Sequence, residues 1–289
     1  MPTNAPEAMG VIYRLQLSQL HPHPQNPFSI RDDQAMLDLI QSVQSHGVLV
    51  PAIARPRPDG EYEIIAGHRR KHASELAGLD FMLVVVLDMN DDEAIIQLVD
   101  SNIQRENILP SERAKAYKMR MEAMKRQGAR TDLTSPNISA KFRSDDELGQ
   151  EVGVSGDTIR NYASLTNLVP ELMQMVDEGR IKLSPAYQIA ALPHNEQSLL
   201  LDTIESEQAT PSLSQAQRMK RFSQNGELNE DVLLEIMMEQ KKPERNDITL
   251  SGEKLRKYFP KSYSPIQMEN VIFKLLEAWQ RKRQRDQSR

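Results

Sequence analysis

Asp145–Ser164, DDELGQEVGVSGDTIRNYAS, decides the reading of this chain. Leu148 and Val152 fall on one face of a first short helix, and Ile159 and Tyr162 on one face of a second, with Val154 between them. The two faces can bury each other only if the helices cross closely. Gly149 removes the side chain that would hold them apart, Gly153 suits the left-handed residue of a sharp turn, and Ser155 is a good N-cap for the second helix. The pattern is that of a DNA-binding helix-turn-helix, and an ordinary helical hairpin would use the same contacts. On the first reading Gly156, Asp157, Arg160, Asn161 and Ser164 face outward. Arg and Asn are the side chains that pair bidentately with guanine and adenine edges, which makes Arg160 and Asn161 the candidate readers. With Ser155 and Thr158 these residues form the candidate DNA-contacting set.

Charge complicates that reading. From Ser144 to Leu165 there is one basic residue, Arg160, against five acidic ones. Phosphate neutralisation must therefore come from elsewhere. The segment Asn102–Arg130 carries Arg105, Arg113, Lys115, Lys118, Arg120, Lys125, Arg126 and Arg130 against three glutamates, and Lys141 and Arg143 extend it. A charge run of this kind is usually a solvated helix face, but beside the helix-turn-helix it is the candidate phosphate-binding surface.

Composition sets the bounds. The 289 residues suffice for two or three domains, and 39% hydrophobic with 27% charged is ordinary for a soluble protein. No apolar run has the length of a membrane span, and MPTNAPEAMG lacks the order of a signal peptide, so a cytoplasmic protein is expected. Zero cysteines exclude disulfides, thiolate zinc sites and cysteine chemistry, and the six histidines show no zinc-motif spacing. The net charge of −5 points to a local basic surface rather than general polyanion binding.

The N-terminal hundred residues read as a compact α+β domain. Val11–Leu17 alternates like a strand, broken by the His-Pro-rich stretch 21–27. Asp32 or Asp33 caps a helix with Met36, Leu37, Ile40 and Val43 on its apolar face, ending near Gly47. Ala52–Arg55 and Tyr62–Ala66 are strands joined by a turn at Pro58, Asp59 and Gly60. A helix from His68 to Ala77, a strand Phe81–Leu87 and a helix Asp92–Ile103 complete it. In AGHRRKHAS, Gly67 opens a helix whose free N–H groups, with Arg69 and Arg70, suit a phosphate. In DSNIQRENILPSERA, Asn102, Gln104 and Arg105 sit at a helix end before a break at Pro110. Structurally, these arginines would instead pair with Glu75, Glu106 or Asp100.

In order, LHPHPQNPF, SHGVLVPAIARP, YEIIAGHRRKHASELAG, SNIQRENILPSERA, the helix-turn-helix and VDEGRIKLSPAYQIAAL resemble the ParB family of chromosome and plasmid partition proteins over about 15–192. The resemblance implies an α+β N-terminal ParB/sulfiredoxin-like domain (1–108), an all-α helix-turn-helix domain (109–222), a linker (223–246) and a small, mainly helical dimerisation segment (247–289). It implies a homodimer on a palindromic centromere-like site of double-stranded DNA, nucleoid- or plasmid-associated, with a ParA-type ATPase as partner. It also implies CTP with magnesium, closing the N-domains into a clamp. Matched residue by residue, the nucleotide set is Gly47, Gly67, Arg69, Arg70, Asn102, Gln104 and Arg105, with Asn102 toward the magnesium. His68 and Ser101 stand where the family carries glutamates, and Val50 where it carries glutamine. Carboxylates in such blocks help to hold a metal or position water, so a CTPase activity is less strongly implied than binding. The alternative is a site-specific regulator or nucleoid-associated protein without nucleotide. A nuclease is disfavoured, since no carboxylate cluster would hold two metals.

The segment from about Gly128 to Phe142 reads as an inserted flexible loop. Further on, 223–246 is polar with an embedded apolar helix, Val232–Met238. Ile248–Leu250 is strand-like and Ser251 caps a short helix to Phe259. After Pro265, Met268, Val271, Ile272, Leu275, Leu276 and Trp279 form one stripe, too little for a monomeric core and suited to a symmetric dimer, or alternatively to docking back on the same chain.

Overall fold

The computed structural model describes residues 11–105, 108–132 and 144–239, then 255, 257–260 and 263–287. They fall into two units, 1–239 and 240–289. The first opens with a five-stranded sheet of β1 (Ile12–Gln16), β2 (Leu20–Pro22), β3 (Ala52–Pro56), β4 (Tyr62–Ala66) and β5 (Phe81–Val86), in the order β1-β5-β3-β4-β2. The β1–β5 and β3–β4 pairs are antiparallel, and β3–β5 and β2–β4 are parallel. Helices α1 (Gln34–His46) and α2 (His68–Leu76) connect the strands, and Met36, Val43 and Ala73 pack them together. The Asp33 carboxylate accepts from the Met36 N–H and fixes where α1 starts.

Two details differ from the sequence reading. The His-Pro stretch does not simply end a strand: Leu20–Pro22 adds β2 to the sheet edge, where a proline costs no ladder hydrogen bond. Leu37 is exposed, and Leu39 takes its expected place in the packing of α1.

Helix α3 (Asp91–Ile103) begins with a capping box between Asn90 and Glu93. Pro110 then occupies the first turn of a 23-residue helix, α4 (Pro110–Asp132), where its missing N–H is harmless; it opens a helix more than it breaks one. Residues 128–132 of the supposed insertion thus belong to α4, and 133–142 lie outside the described residues. One apolar cluster joins Ile65 of β4, Leu98, Val99 and Ile103 of α3, Ala116 and Tyr117 of α4, and Leu148 and Ile159. The boundary expected at 108 is therefore crossed by a continuous core.

The helix-turn-helix is α5 (Ser144–Val152) and α6 (Gly156–Ser164). Ser155 Oγ accepts from the Thr158 N–H, and Gly153 has φ +74°. Leu148 and Ile159 are fully buried. Val154 is largely exposed, unlike the rest of the apolar set, and Gly156 is buried against Asp146 rather than facing outward.

A second core gathers α7 (Pro170–Asp177), α8 (Leu183–Ile189), α9 (His194–Glu207), α10 (Leu213–Gln224) and α11 (Glu230–Met238). Leu233, Ile236 and Met237 of α11 are buried in it, so the expected linker at 223–246 is part of the folded unit as far as Glu239. Each such side chain contributes about 1.5–3 kcal/mol, enough to hold the helix down.

In the second unit, α12 (Pro265–Gln287) starts at Ser264, which shares reciprocal hydrogen bonds with Gln267. Met268 is buried, Val271 and Ile272 are half-buried, and Leu275, Leu276 and Trp279 are exposed. The expected strand 248–250 and cap at Ser251 lie outside the described residues.

A Cβ on Gly149 would sit 2.6 Å from the Val154 carbonyl oxygen and about as tightly against the next turn. Because backbone must move to admit it, Gly149→Ala is expected to cost about 1–3 kcal/mol, measured by urea unfolding.

Candidate anion pocket and nucleic-acid interface

At the N-terminus of α2 the chain turns through Gly67 at φ +110°, where a Cβ would lie 2.8 Å from that of Ala52. Only glycine fits both the angle and the space. The turn presents the first N–H groups of α2 to a cavity of about 240 Å³. Gly67, His68, Arg69 and Arg70 line one side, and Ser101, Asn102 and Arg105 line another. Sequence reading missed the third wall, Asn26, Phe28, Ser29 and Ile30, because a loop entering a helix carries no periodic signal. Gly47 ends α1 at φ +69° and Gln104 is exposed beyond α3; neither lines the cavity.

The lining contains no carboxylate. Arg70 donates to the carbonyls of Val50 and Pro51, so it braces the loop before β3. Arg69 Nη2 reaches Asp33 Oδ1 at 3.1 Å, on the residue that caps α1. Among the described residues, Arg105 Nη1 has only a long contact, 3.5 Å, to Asn102 Oδ1. Burial holds its pKa below the ordinary guanidinium value, and the positive charges of Arg69 and Arg31 add to that effect against Glu112 and Asp33. Asn102 Nδ2 donates to the Leu98 carbonyl and to Ser101 Oγ, which leaves its oxygen on the Arg105 side. Two of the internal partners expected for these arginines are engaged elsewhere, Glu75 with Lys71 and Asp100 with Arg120; Glu106 lies outside the described residues.

His68 follows Gly67 in the cavity lining. Its Nε2 is buried without a hydrogen-bond partner among the described residues, and burial, assisted by His23 and Lys71, pushes its pKa down to about 4. The ring is neutral near neutral pH and supplies no carboxylate-like charge.

The DNA candidates on α6 divide into two groups. Asp157 and Asn161 are exposed, Thr158 and Ser164 are half-buried, and Ser155 is used as the cap. Arg160 is bound by Asp145 of α5 and Asp157 of its own helix. Glu151 meets Arg120, whose Nε and Nη2 also grip Asp100 at 2.7 and 3.1 Å. Three of the motif's five acidic residues thus have an arginine partner, Arg160 on α6 or Arg120 on α4.

That arrangement changes the expected phosphate surface. Of the basic run, Arg120 is buried in ion pairs, Arg126 binds Asp92 at 2.7 Å, and Arg113 stacks 5.5 Å from the Tyr162 ring centre. Lys115 and Lys125 remain exposed, and Lys118 contacts Thr166 at 3.2 Å. Lys141 and Arg143 lie outside the described residues. Among the described residues, no group of three His, Asp or Glu is placed to hold a metal, and no helix is long and apolar enough to cross a membrane.

Because the folded-state pKa of His68 is below its unfolded value of about 6.5, the unfolded chain takes up the proton first as pH falls. Stability is lost from about pH 6.5 down to about pH 4, and His68 accounts for roughly 2 kcal/mol between about pH 7 and pH 5. His68→Gln is expected to remove that part of the slope, measured by urea unfolding of both proteins at the two pH values.

The family model of the ParB N-terminal domain matches residues 2–103, and that of the ParB HTH domain matches 137–225. The chromosome-partitioning protein Spo0J of Thermus thermophilus is 30% identical over 187 residues, 65% of this chain and 62% of the relative. The chain thus spans about three fifths of the length of such relatives. Two crystal structures of C-terminally truncated ParB from Caulobacter crescentus are also similar. One, complexed to the centromeric parS site, is 25% identical with a TM-score of 0.46, covering 72% of this chain and 98% of that one. The other, complexed with CTP-gamma-S, is 28% identical with a TM-score of 0.32, covering 63% and 93%. The ParB N-terminal match takes in the cavity lining except Arg105, and the ParB HTH match takes in α5 and α6: the chain belongs to the ParB family.

Proposed function

We propose that this chain is a DNA partition protein that binds a palindromic, centromere-like duplex through α5 and α6, holds CTP with magnesium at Gly67, and closes as a homodimeric clamp. The observation that carries the nucleotide reading is the carboxylate-free cavity at the start of α2, with the charges of Arg31, Arg69 and Arg105 converging near it. Mutual repulsion among desolvated guanidinium groups is relieved by a polyphosphate, which also accepts from the N–H groups of the helix start. Arg69 and Arg105 hold phosphate oxygens in this reading, Arg70 keeps the loop before β3 in place, and the Asn102 oxygen faces the magnesium. Binding a ligand that favours one arrangement of the N-domain is sufficient for clamp closure, whether or not turnover follows.

Hydrolysis is the weaker part of the activity. Neutral His68 and Ser101 offer no carboxylate to orient water or to hold the metal, so turnover is slow relative to binding. The apolar stripe of α12, with Trp279 57% exposed, supports the homodimer, since a second copy of the stripe would cover it symmetrically. Family membership supports a ParA-type ATPase partner and a cytoplasmic location on a nucleoid or plasmid.

A second reading, a site-specific regulator that binds no nucleotide, is favoured by one observation: Arg69 and Arg70 already have partners in Asp33 and the 50–51 carbonyls. Arg105 separates the two. In the clamp reading, labelled CTP binds selectively over ATP, GTP and UTP, and Arg105→Ala weakens it roughly 10- to 100-fold, the worth of a charged hydrogen bond. DNA binding without any CTP binding by the wild-type chain would favour the regulator.

A further inference from the structure

We propose that Arg160 is a positioning residue rather than a base reader: it fastens α6 to α5 through Asp145 and aims Asp157, which with Asn161 reads the base edges. The inference rests on the DNA-binding role given to α5 and α6 above. Both terminal nitrogens of Arg160 are committed, Nη1 donating to Asp145 and Nη2 to Asp157. That is the forked edge that guanine recognition would need. Asp145 is only 5% exposed, and a carboxylate at that depth needs a cation beside it. Releasing Arg160 to the major groove would strand it.

Asp157 and Asn161 are left as the exposed pair, four residues apart on one face of α6. Aspartate accepts from the amino group of cytosine, and asparagine pairs bidentately with adenine. A free carboxylate would be repelled by DNA phosphates. Arg160, shared with Asp145, offsets part of that charge and restricts the Asp157 side chain.

The test starts by enriching a random duplex pool on the full chain, then measures competition by every single-base-pair variant of the preferred site. Asp157→Ala and Asn161→Ala are each expected to lose roughly tenfold preference, at different base pairs. Arg160→Ala is expected to lose preference at the Asp157 base pair and to add nothing there in the Asp157→Ala background, while Arg160→Lys restores much of it. The thermal midpoint falls in Arg160→Ala and recovers in Asp145→Asn/Arg160→Ala, which also carries the comparison where the single variant does not fold. Loss of preference at a base pair that Asp157→Ala leaves untouched makes Arg160 a reader and overturns the proposal. So does an Arg160→Ala protein with unchanged midpoint and profile, or an intact profile in Asp157→Ala or Asn161→Ala. A wild-type chain that enriches no duplex overturns the DNA-binding reading itself, a result distinct from all of these.

Discussion

The burial of α4 against two partners at once is the constraint on which the first unit depends. Its Ala116 and Tyr117 enter the cluster that holds Leu98 and Val99 of α3 on one side and Leu148 and Ile159 of the helix-turn-helix on the other. Tyr117, Tyr162 and Tyr187 continue that contact edge to face, with ring centres 5.8 and 5.9 Å apart, toward α8. Aromatic pairs at this spacing add about 0.5–1.5 kcal/mol each beyond their burial. The α+β domain and the DNA-binding helices are thus packed on one shared helix rather than tethered by a linker.

Arg120 makes the same junction polar. Its guanidinium, 6% exposed, is shared between Asp100 on α3 and Glu151 on α5, which gives all of its forked edge a partner. Both carboxylates are about half in water, so the pairs are worth less than a fully buried bridge, on the order of 1 kcal/mol each. Their larger effect is on orientation, since a planar fork accepts few arrangements of its partners.

The sequence was most legible where the signal is local. Gly149, Gly153, Ser155 and the spacing of Leu148 and Ile159 are all read within one turn of their partners, and the turn of α5 into α6 follows from them. Gly67 was legible for the same reason, as a glycine between a strand and a helix. Long-range pairing was not. Arg120 meets Asp100 and Glu151 across 20 and 31 residues, and Arg160 meets Asp145 across 15, so their charges entered the sequence reading as a free basic run and an unneutralised acidic motif. Amphipathic period also leaves a choice of about one residue at a helix edge, which is why Leu37 was expected inside and Leu39 was not. The docking of α11 is likewise not local: the sequence shows an apolar helix there, but the groove beside α9 and α10 that buries it is built by other elements.

The cavity and the helix-turn-helix meet at the end of α3. Asp100 grips Arg120, while Ser101 and Asn102, the next two residues, line the cavity, so one helical turn serves both. A helical turn is stiff compared with the side chains attached to it, and Arg120 is held on its far side by Glu151 of α5. Any displacement of that turn that widens or narrows the cavity must therefore move Asp100, and Arg120 must either follow it or give up one of its two carboxylates. The alternatives are discrete because the guanidinium is buried and cannot exchange a lost partner for water without cost. The same residue thus ties the turn that lines the pocket to α5.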